Sequence, residues 1–289
     1  MTGRQGKILA VGAAGEFAGA VVPALASRGA DVTGMVRHAG QMDGVLARGA
    51  SDVVLGDLTD DASVRRALDG VDSAFYVPPA FISHEAQLGQ RFVAAAVDAG
   101  VRRIVFLSVV HPVLSALVNH AAKAPVEEAI LDSGLEYTFL HPTLYFQMLG
   151  RSFPQVVRTG VLAEPWSPAT AFSRVDVRDI AEVAARALLD DDLVYGTFDL
   201  ASPGWTNRDD VARLISEVTG THVVAERLPD AATASAPEPL RTMFRHYDSH
   251  GLRANPLVLE SVLGRPARTL RDYVTELHHQ HDSAREDAS

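Results

Sequence analysis

The sequence predicts an α/β protein: a doubly wound parallel sheet joined to a smaller C-terminal α/β domain. Three features carry that expectation. The chain opens with a short apolar run, Ile8 to Val11, then a glycine turn, then a segment of helical period. Strand and helix patterns go on alternating through the first half, which is how a parallel sheet with right-handed crossovers reads. Arg103 to Ser108 (RIVFLS) is almost continuously apolar, as a parallel strand covered on both faces should be. The first domain is expected over residues 1–150, its sheet completed by part of 171–202. The smaller region is expected over 151–289, with an unstructured tail from about residue 278.

Composition narrows the class. The chain has 289 residues, of which 47% are hydrophobic and 21% charged, enough to bury a large core. Net charge is −10 and no basic stripe is visible, which argues against nucleic-acid binding. There is no cysteine, so disulfides, thiolate metal sites and cysteine nucleophiles are excluded. The first apolar run breaks at Gly12 and is too short for a signal peptide, and no run reaches the length of a membrane span. A cytoplasmic protein is expected, monomeric or homodimeric, that acts on a small molecule.

The turn after the first strand is Gly12-Ala13-Ala14-Gly15-Glu16-Phe17-Ala18, with Gly19 just behind. Gly12 allows a sharp exit from the strand. Ala14 and Gly15 let backbone N–H groups approach a pyrophosphate, and Ala18 and Gly19 let the helix pack close to the sheet. The helix N-terminus adds partial positive charge at that point. Glu16 and Phe17 open the helix and belong to the same expected cofactor-binding set. The Glu16 carboxylate suits the helix dipole but not a phosphate, so it is expected to point away. The plainer alternative is an ordinary strand-to-helix turn with small residues for packing.

Asp31 to Val36 reads as the second strand and ends in Arg37-His38. A carboxylate at that strand end would bind a ribose 2′-hydroxyl, whereas an arginine accommodates a 2′-phosphate. Arg37 therefore favours NADP(H) over NAD(H), the alternative being a solvated surface arginine. Gln41 to Arg48 reads as a short helix and Asp52 to Leu55 as the third strand. Asp57 and Leu58 follow it, placed to meet an adenine edge or, for Asp57, to cap a turn. Ala62 to Leu68 is helical. Ser73 to Val77 is the fourth strand, and Val77 with Pro78 would line the cofactor ribose. Ser83 to Ala99 is a long helix ended by Gly100.

Ser108 closes the fifth strand, and a helix from about His120 to Asp132 contains Lys123, Glu127 and Glu128. The sixth strand, Glu136 to Leu140, runs into His141-Pro142-Thr143-Leu144-Tyr145. Several stretches together carry a resemblance: Gly12 to Gly15, Arg37, Gly56-Asp57-Leu58, Ile104 to Ser108, Lys123 with Glu127 and Glu128, and Ser133 to Thr138. Val175 to Ala181 and Leu263 to Pro266 add to it. From about Lys7 to Tyr273 the chain resembles the NmrA-like family of atypical short-chain dehydrogenases/reductases.

The resemblance implies a Rossmann domain binding NADP(H) or NAD(H), with a small C-terminal substrate domain. In active short-chain reductases a tyrosine four residues before the lysine donates the proton. A serine after the fifth strand orients the substrate oxygen, and the lysine binds the nicotinamide ribose. Lys123 and Ser108 match those positions and join the cofactor-binding set, but the tyrosine position holds Asn119, which cannot supply a proton at neutral pH. His120, next to it, and Tyr145, at the carboxyl edge beside Pro142, are the candidate replacements. His111 follows Ser108, and His141 stands where the family often has arginine. The plainer readings are histidines bonded to backbone, a pocket-wall tyrosine, and a Lys123–Glu127 surface pair.

Beyond the sixth strand, Gly150 to Thr170 reads as a loop-rich cover, Asp176 to Leu189 as a helix and Gly196 to Leu200 as a strand. Thr206 to Val218 reads as a helix and Val223-Val224 as a strand. Ala231 to Pro239 reads as an exposed connection. Met243, Phe244 and Tyr247 are pocket or packing residues. His278, His279 and His281 lack a rigid frame, so no metal site is expected.

Three functions fit. The first is NADPH-dependent hydride transfer to a small or medium apolar acceptor: a quinone, enone, imine or ketone. The second is an NADP(H)-sensing regulator. The third is a non-redox acid–base enzyme of secondary metabolism.

Overall fold

The computed structural model describes residues 6–79, 82 and 84–286. The chain divides into two compact units: residues 1–141 with 177–198, and residues 142–176 with 199–289. The boundary thus falls at His141/Pro142, and the expected edge at residue 150 lies inside a helix.

The first unit begins with β1 (Lys7–Val11), α1 (Glu16–Ala26), β2 (Val32–Val36), α2 (Met42–Leu46), β3 (Asp52–Leu55) and α3 (Asp61–Ala67). It continues with β4 (Val71–Tyr76), α4 (Glu85–Asp98), β5 (Arg103–Leu107), α5 (Val118–Ala121), α6 (Ala124–Asp132) and β6 (Glu136–Pro142). Ser83, the expected start of the long helix, lies outside the described residues. The expected helix from His120 to Asp132 is in fact two, α5 and α6, joined through Ala122 and Lys123.

The chain then passes through β7 (Leu144–Tyr145), α7 (Gln147–Thr159), β8 (Val161–Glu164) and β9 (Arg174–Val175). It returns to the first unit with α8 (Val177–Leu189) and enters β10 (Gly196–Leu200). The remainder is α9 (Arg208–Thr219), β11 (Val224–Arg227), α10 (Asp230–Thr233), α11 (Glu238–His250), α12 (Leu257–Leu263) and α13 (Leu270–Glu286).

The seven-stranded sheet has the order β10-β6-β5-β4-β1-β2-β3. The pairings β1–β2, β2–β3, β1–β4, β4–β5 and β5–β6 are all parallel. The chain leaves β3 at one edge and re-enters at β4 on the far side of β1, so the order reverses between β1 and β4. Ligands of such sheets bind at that reversal, outside the carboxyl ends of the strands. One face of the sheet buries Leu9, Tyr76, Phe92, Ile104, Phe106 and Phe139 in a single cluster with α4 and α6. A fully buried arginine braces this unit at the far end. Arg103 donates to the carboxylate of Glu136 and to the carbonyls of Ala187 and Asp190.

The second unit corrects two expectations. Residues 150–159 belong to α7 rather than to a loop, because Leu149, Phe153 and Val156 recur at helical spacing and bury against α9 and α13. Gly150 makes room for α13: a Cβ there would stand 2.6 Å from the Tyr273 hydroxyl. Residues 278–286 continue α13 rather than forming an unstructured tail, since Leu270, Val274 and Leu277 give that helix an apolar stripe in the same cluster.

Candidate active site

β1 ends at Val11, and Gly12 turns the chain with φ of 72°, a conformation that favours glycine. Gly15 N–H donates to Gly12 O at 2.8 Å, and Ala13 N–H donates to Met35 O on β2 at 3.0 Å. Gly15 is the N-cap of α1 and, as a glycine, supplies no side-chain cap of its own. A Cβ on Gly15 would stand 3.1 Å from Gly12 O. Gly12, Gly15 and Glu16 are exposed, Ala14 and Phe17 half-buried.

One residue of this turn was missed from sequence. Arg48, past α2, donates to Ala13 O at 3.1 Å, and its guanidinium lies where a side chain on Gly19 would go. It ties the turn to the next βα unit, and nothing in its local sequence marks it.

Arg37 stands at the end of β2, 58% exposed, with Nε 3.8 Å from Asp57 Oδ2. Asp57 accepts from Thr59 N–H and Thr59 Oγ1, each at 2.8 Å. Those two bonds, with the Arg37 charge adding, hold its carboxyl below the usual range. Asp57 is therefore a turn-capping carboxylate as well as a neighbour of Arg37. Leu58 packs against the core cluster rather than lying open. Val77 and Pro78 follow β4, and a Cβ on Gly12 would lie 3.7 Å from Val77 Cγ1, so Val77 borders the turn directly.

The expected catalytic side chains separate into two units. Ser108, His120 and Lys123 lie in the first; Pro142 and Tyr145 lie in the second, with Tyr145 on β7 paired to Val175 of β9. Lys123 is buried and its Nζ binds the Glu85 carboxylate at the start of α4, not Glu127. The surface pair with Glu127 is thus replaced by an inward one. Beside it, Tyr76 is fully buried, stacks on Phe92 at 4.4 Å between ring centroids, and has a hydroxyl without a partner. Burial, with the Glu85 charge nearby, pushes its phenol well above the ordinary range. Tyr76 is no ready proton donor.

His120 does not fit the role of general acid expected for it. It is fully buried, and its Nδ1 donates to His111 O at 3.1 Å. Burial draws its pKa down to about 4, so at neutral pH the ring is uncharged and Nε2 carries no proton. Among the described residues, that Nε2 has no hydrogen-bond partner, nor does the buried Oδ1 of Asn119.

Glu127 has a different task. On α6 it accepts from the Ser108 hydroxyl through Oε1, and His141 Nε2, at the end of β6, lies 2.9 Å from the same oxygen. Ser108 and His141 are 4% and 7% exposed. In the second unit, Phe244 lines a cavity of about 510 Å³ with Arg227, Arg241 and Arg245, whereas Tyr247 is buried against Trp166 and Phe172. Burial pushes the Tyr247 phenol up to about 12.

Comparison with known proteins follows the same lines. The NmrA-like family model matches residues 4–277. A (4-alkanoyl-5-oxo-2,5-dihydrofuran-3-yl)methyl phosphate reductase of Streptomyces griseus is 31% identical, covering 89% of this chain and 94% of its own. An NAD(P)H azoreductase of Xenophilus azovorans is 28% identical, covering 92% and 96%. The crystal structure of the NADPH-dependent quinone oxidoreductase of Escherichia coli with NADPH superposes with a TM-score of 0.81 at 23% identity, covering 94% of this chain and 99% of the other. Among the described residues, no helix is long and apolar enough to cross a membrane. The chain belongs to the NmrA-like family.

Proposed function

We propose that this chain is an NAD(P)H-dependent oxidoreductase that uses NADPH to reduce a small or medium, mostly apolar acceptor. The observation that carries the reading is the exposed Gly12–Gly15 turn opening α1, with Arg37 at the adjoining strand end. The turn suits a dinucleotide: it is a cradle that a Cβ on Gly15 would narrow, at a helix N-terminus whose N-cap is a glycine. The curated relatives support the reaction class, since each is named as a reductase and the chain covers nearly their whole length.

The residues divide the work. Backbone N–H groups after Gly12 hold the pyrophosphate, and Arg37 holds the 2′-phosphate. Val77 and Pro78 line the ribose. When bound, NADPH supplies the hydride. Lys123, paired with Glu85, would bind the nicotinamide ribose, and Ser108 would orient the polar atom of the acceptor. With no tyrosine four residues before Lys123, acceptors whose reduced anion is already stabilised, such as quinones, react most readily.

The test is turnover: purified protein mixed with NADPH and a panel of quinones, azo dyes, enones and ketones, followed by loss of the reduced-nicotinamide absorbance. Saturable oxidation with at least one acceptor is expected. NADPH binding with no turnover across the panel would move the chain to the sensor class.

A further inference from the structure

Any acceptor other than a stabilised anion needs a proton as well as a hydride. The usual donor is absent: Asn119 holds its position, His120 is neutral, and the Tyr76 phenol is locked in the core. Yet one chain of exchangeable groups crosses the carboxyl ends of β5 and β6. Ser108 Oγ, Glu127 Oε1 and His141 Nε2 are joined by consecutive hydrogen bonds that meet at a single carboxylate oxygen. These residues come from a strand end, a helix and a second strand end. Ser108 and His141 are both more than nine-tenths buried.

The direction of the first bond matters. A serine hydroxyl carries one proton, and here that proton is directed at Glu127. While Glu127 is ionised, Ser108 has none to offer an acceptor. A proton placed on Glu127 reverses the bond and turns the Ser108 hydroxyl outward. His141 is the group able to place it, because an imidazole both takes up and releases a proton near neutrality.

We infer that Ser108, Glu127 and His141 form a proton relay that protonates the acceptor, with Ser108 alone touching it. The inference rests on the reductase reading above. In the relay the N–H bond of the His141 imidazolium breaks and its proton passes to Glu127 Oε1. Glu127 passes a proton to Ser108 Oγ, and the hydroxyl proton of Ser108 goes to the acceptor oxygen or nitrogen. Ser108 and Glu127 end unchanged. The acceptor gains the hydride of NADPH and one proton, NADPH becomes NADP+, and solvent recharges His141. Other titratable groups lie on the neighbouring elements. Lys123 and Glu85 pair with each other, His120 is uncharged, and Glu128 is exposed on α6.

The experiment compares two acceptors: methyl red, whose reduced azo anion needs a proton, and benzoquinone, whose reduced anion is stable. Glu127→Gln keeps the shape and cannot relay. His141→Arg keeps a cation beside Glu127 and never releases its proton. Both variants should lose on the order of 100-fold in kcat with methyl red, the size expected of general acid catalysis. Their loss with benzoquinone should be at least about tenfold smaller. NADPH affinity by calorimetry should stay within about twofold, and Glu127→Asp should recover part of the rate. The alkaline fall of the methyl red rate should vanish in His141→Arg.

Histidine-selective NMR of the cofactor-free protein gives an independent readout: the His141 ring must protonate reversibly between about pH 5 and 8. Equal losses with the two acceptors, or a wild-type pH profile in His141→Arg, would overturn the relay alone. So would a His141 ring that stays neutral until acid unfolding. A wild type that reduces neither acceptor would overturn the reductase reading, and the relay with it.

Discussion

The turn after β1 and the cluster at the ends of β5 and β6 are built from opposite materials. The turn is backbone: Gly12 at positive φ, Gly15 at the helix N-cap, small residues behind, one exposed guanidinium beside it. The cluster is side chains, and most of them are buried and charged or polar: Lys123 on Glu85, Ser108 and His141 on Glu127, and an unpartnered Tyr76 hydroxyl. A site of amides tolerates variation around it and serves any dinucleotide. A site of buried charges depends on every partner, because each was taken out of water to be there. The difference teaches that backbone geometry shapes the one region and buried side-chain pairing the other.

The largest expected effect falls on the cluster. Lys123→Met removes the cation from the buried Glu85 carboxylate and should cost about 3–5 kcal/mol of stability in urea titration. Adding Glu85→Leu to that variant should return most of the loss, because the apolar pair no longer carries a desolvated charge. A second cluster effect is set by pH. The His120 pKa is about 4 when folded and 6.5 as an ordinary imidazole, so between those values the unfolded chain binds the extra proton. Stability is therefore full above pH 6.5 and lost as pH falls towards 4, by about 3 kcal/mol in all. His120→Gln should flatten that part of a pH–stability curve.

The turn should respond in binding more than in stability. Gly12→Val forces a β-branched residue into positive φ and should weaken NADPH on the order of 100-fold by calorimetry, with about 1–3 kcal/mol of strain. The smallest effect is the most selective. Arg37→Ala should weaken NADPH about tenfold, roughly 1.4 kcal/mol, and leave NADH unchanged, since only one of the two carries the 2′-phosphate. Loss of both nucleotides together would mean that Arg37 supports the fold rather than reading the phosphate.

The same contrast explains what the sequence disclosed. β1, α1 and the run from Arg103 to Leu107 were legible because apolar period and glycine placement are local properties. The place of Arg37 was legible because it is the residue after a strand. The partner of Lys123 was not, since Glu85 lies 38 residues away and only α4 packing on α6 brings them together. Nor was the junction at Glu127, whose partners lie 19 and 14 residues off on two strands. α7 was hidden by Pro154 and Gly150, which read as loop signals until three buried side chains on one face outweigh them. Arg48 left no local mark at all, because its contact is with a carbonyl one βα unit back.

Titration of the purified chain with NADPH and then NADH by calorimetry tests the central claim most directly. The account predicts one saturable site, with NADPH the tighter of the two and that advantage abolished in Arg37→Ala. An absence of heat with both nucleotides at millimolar concentration would contradict it.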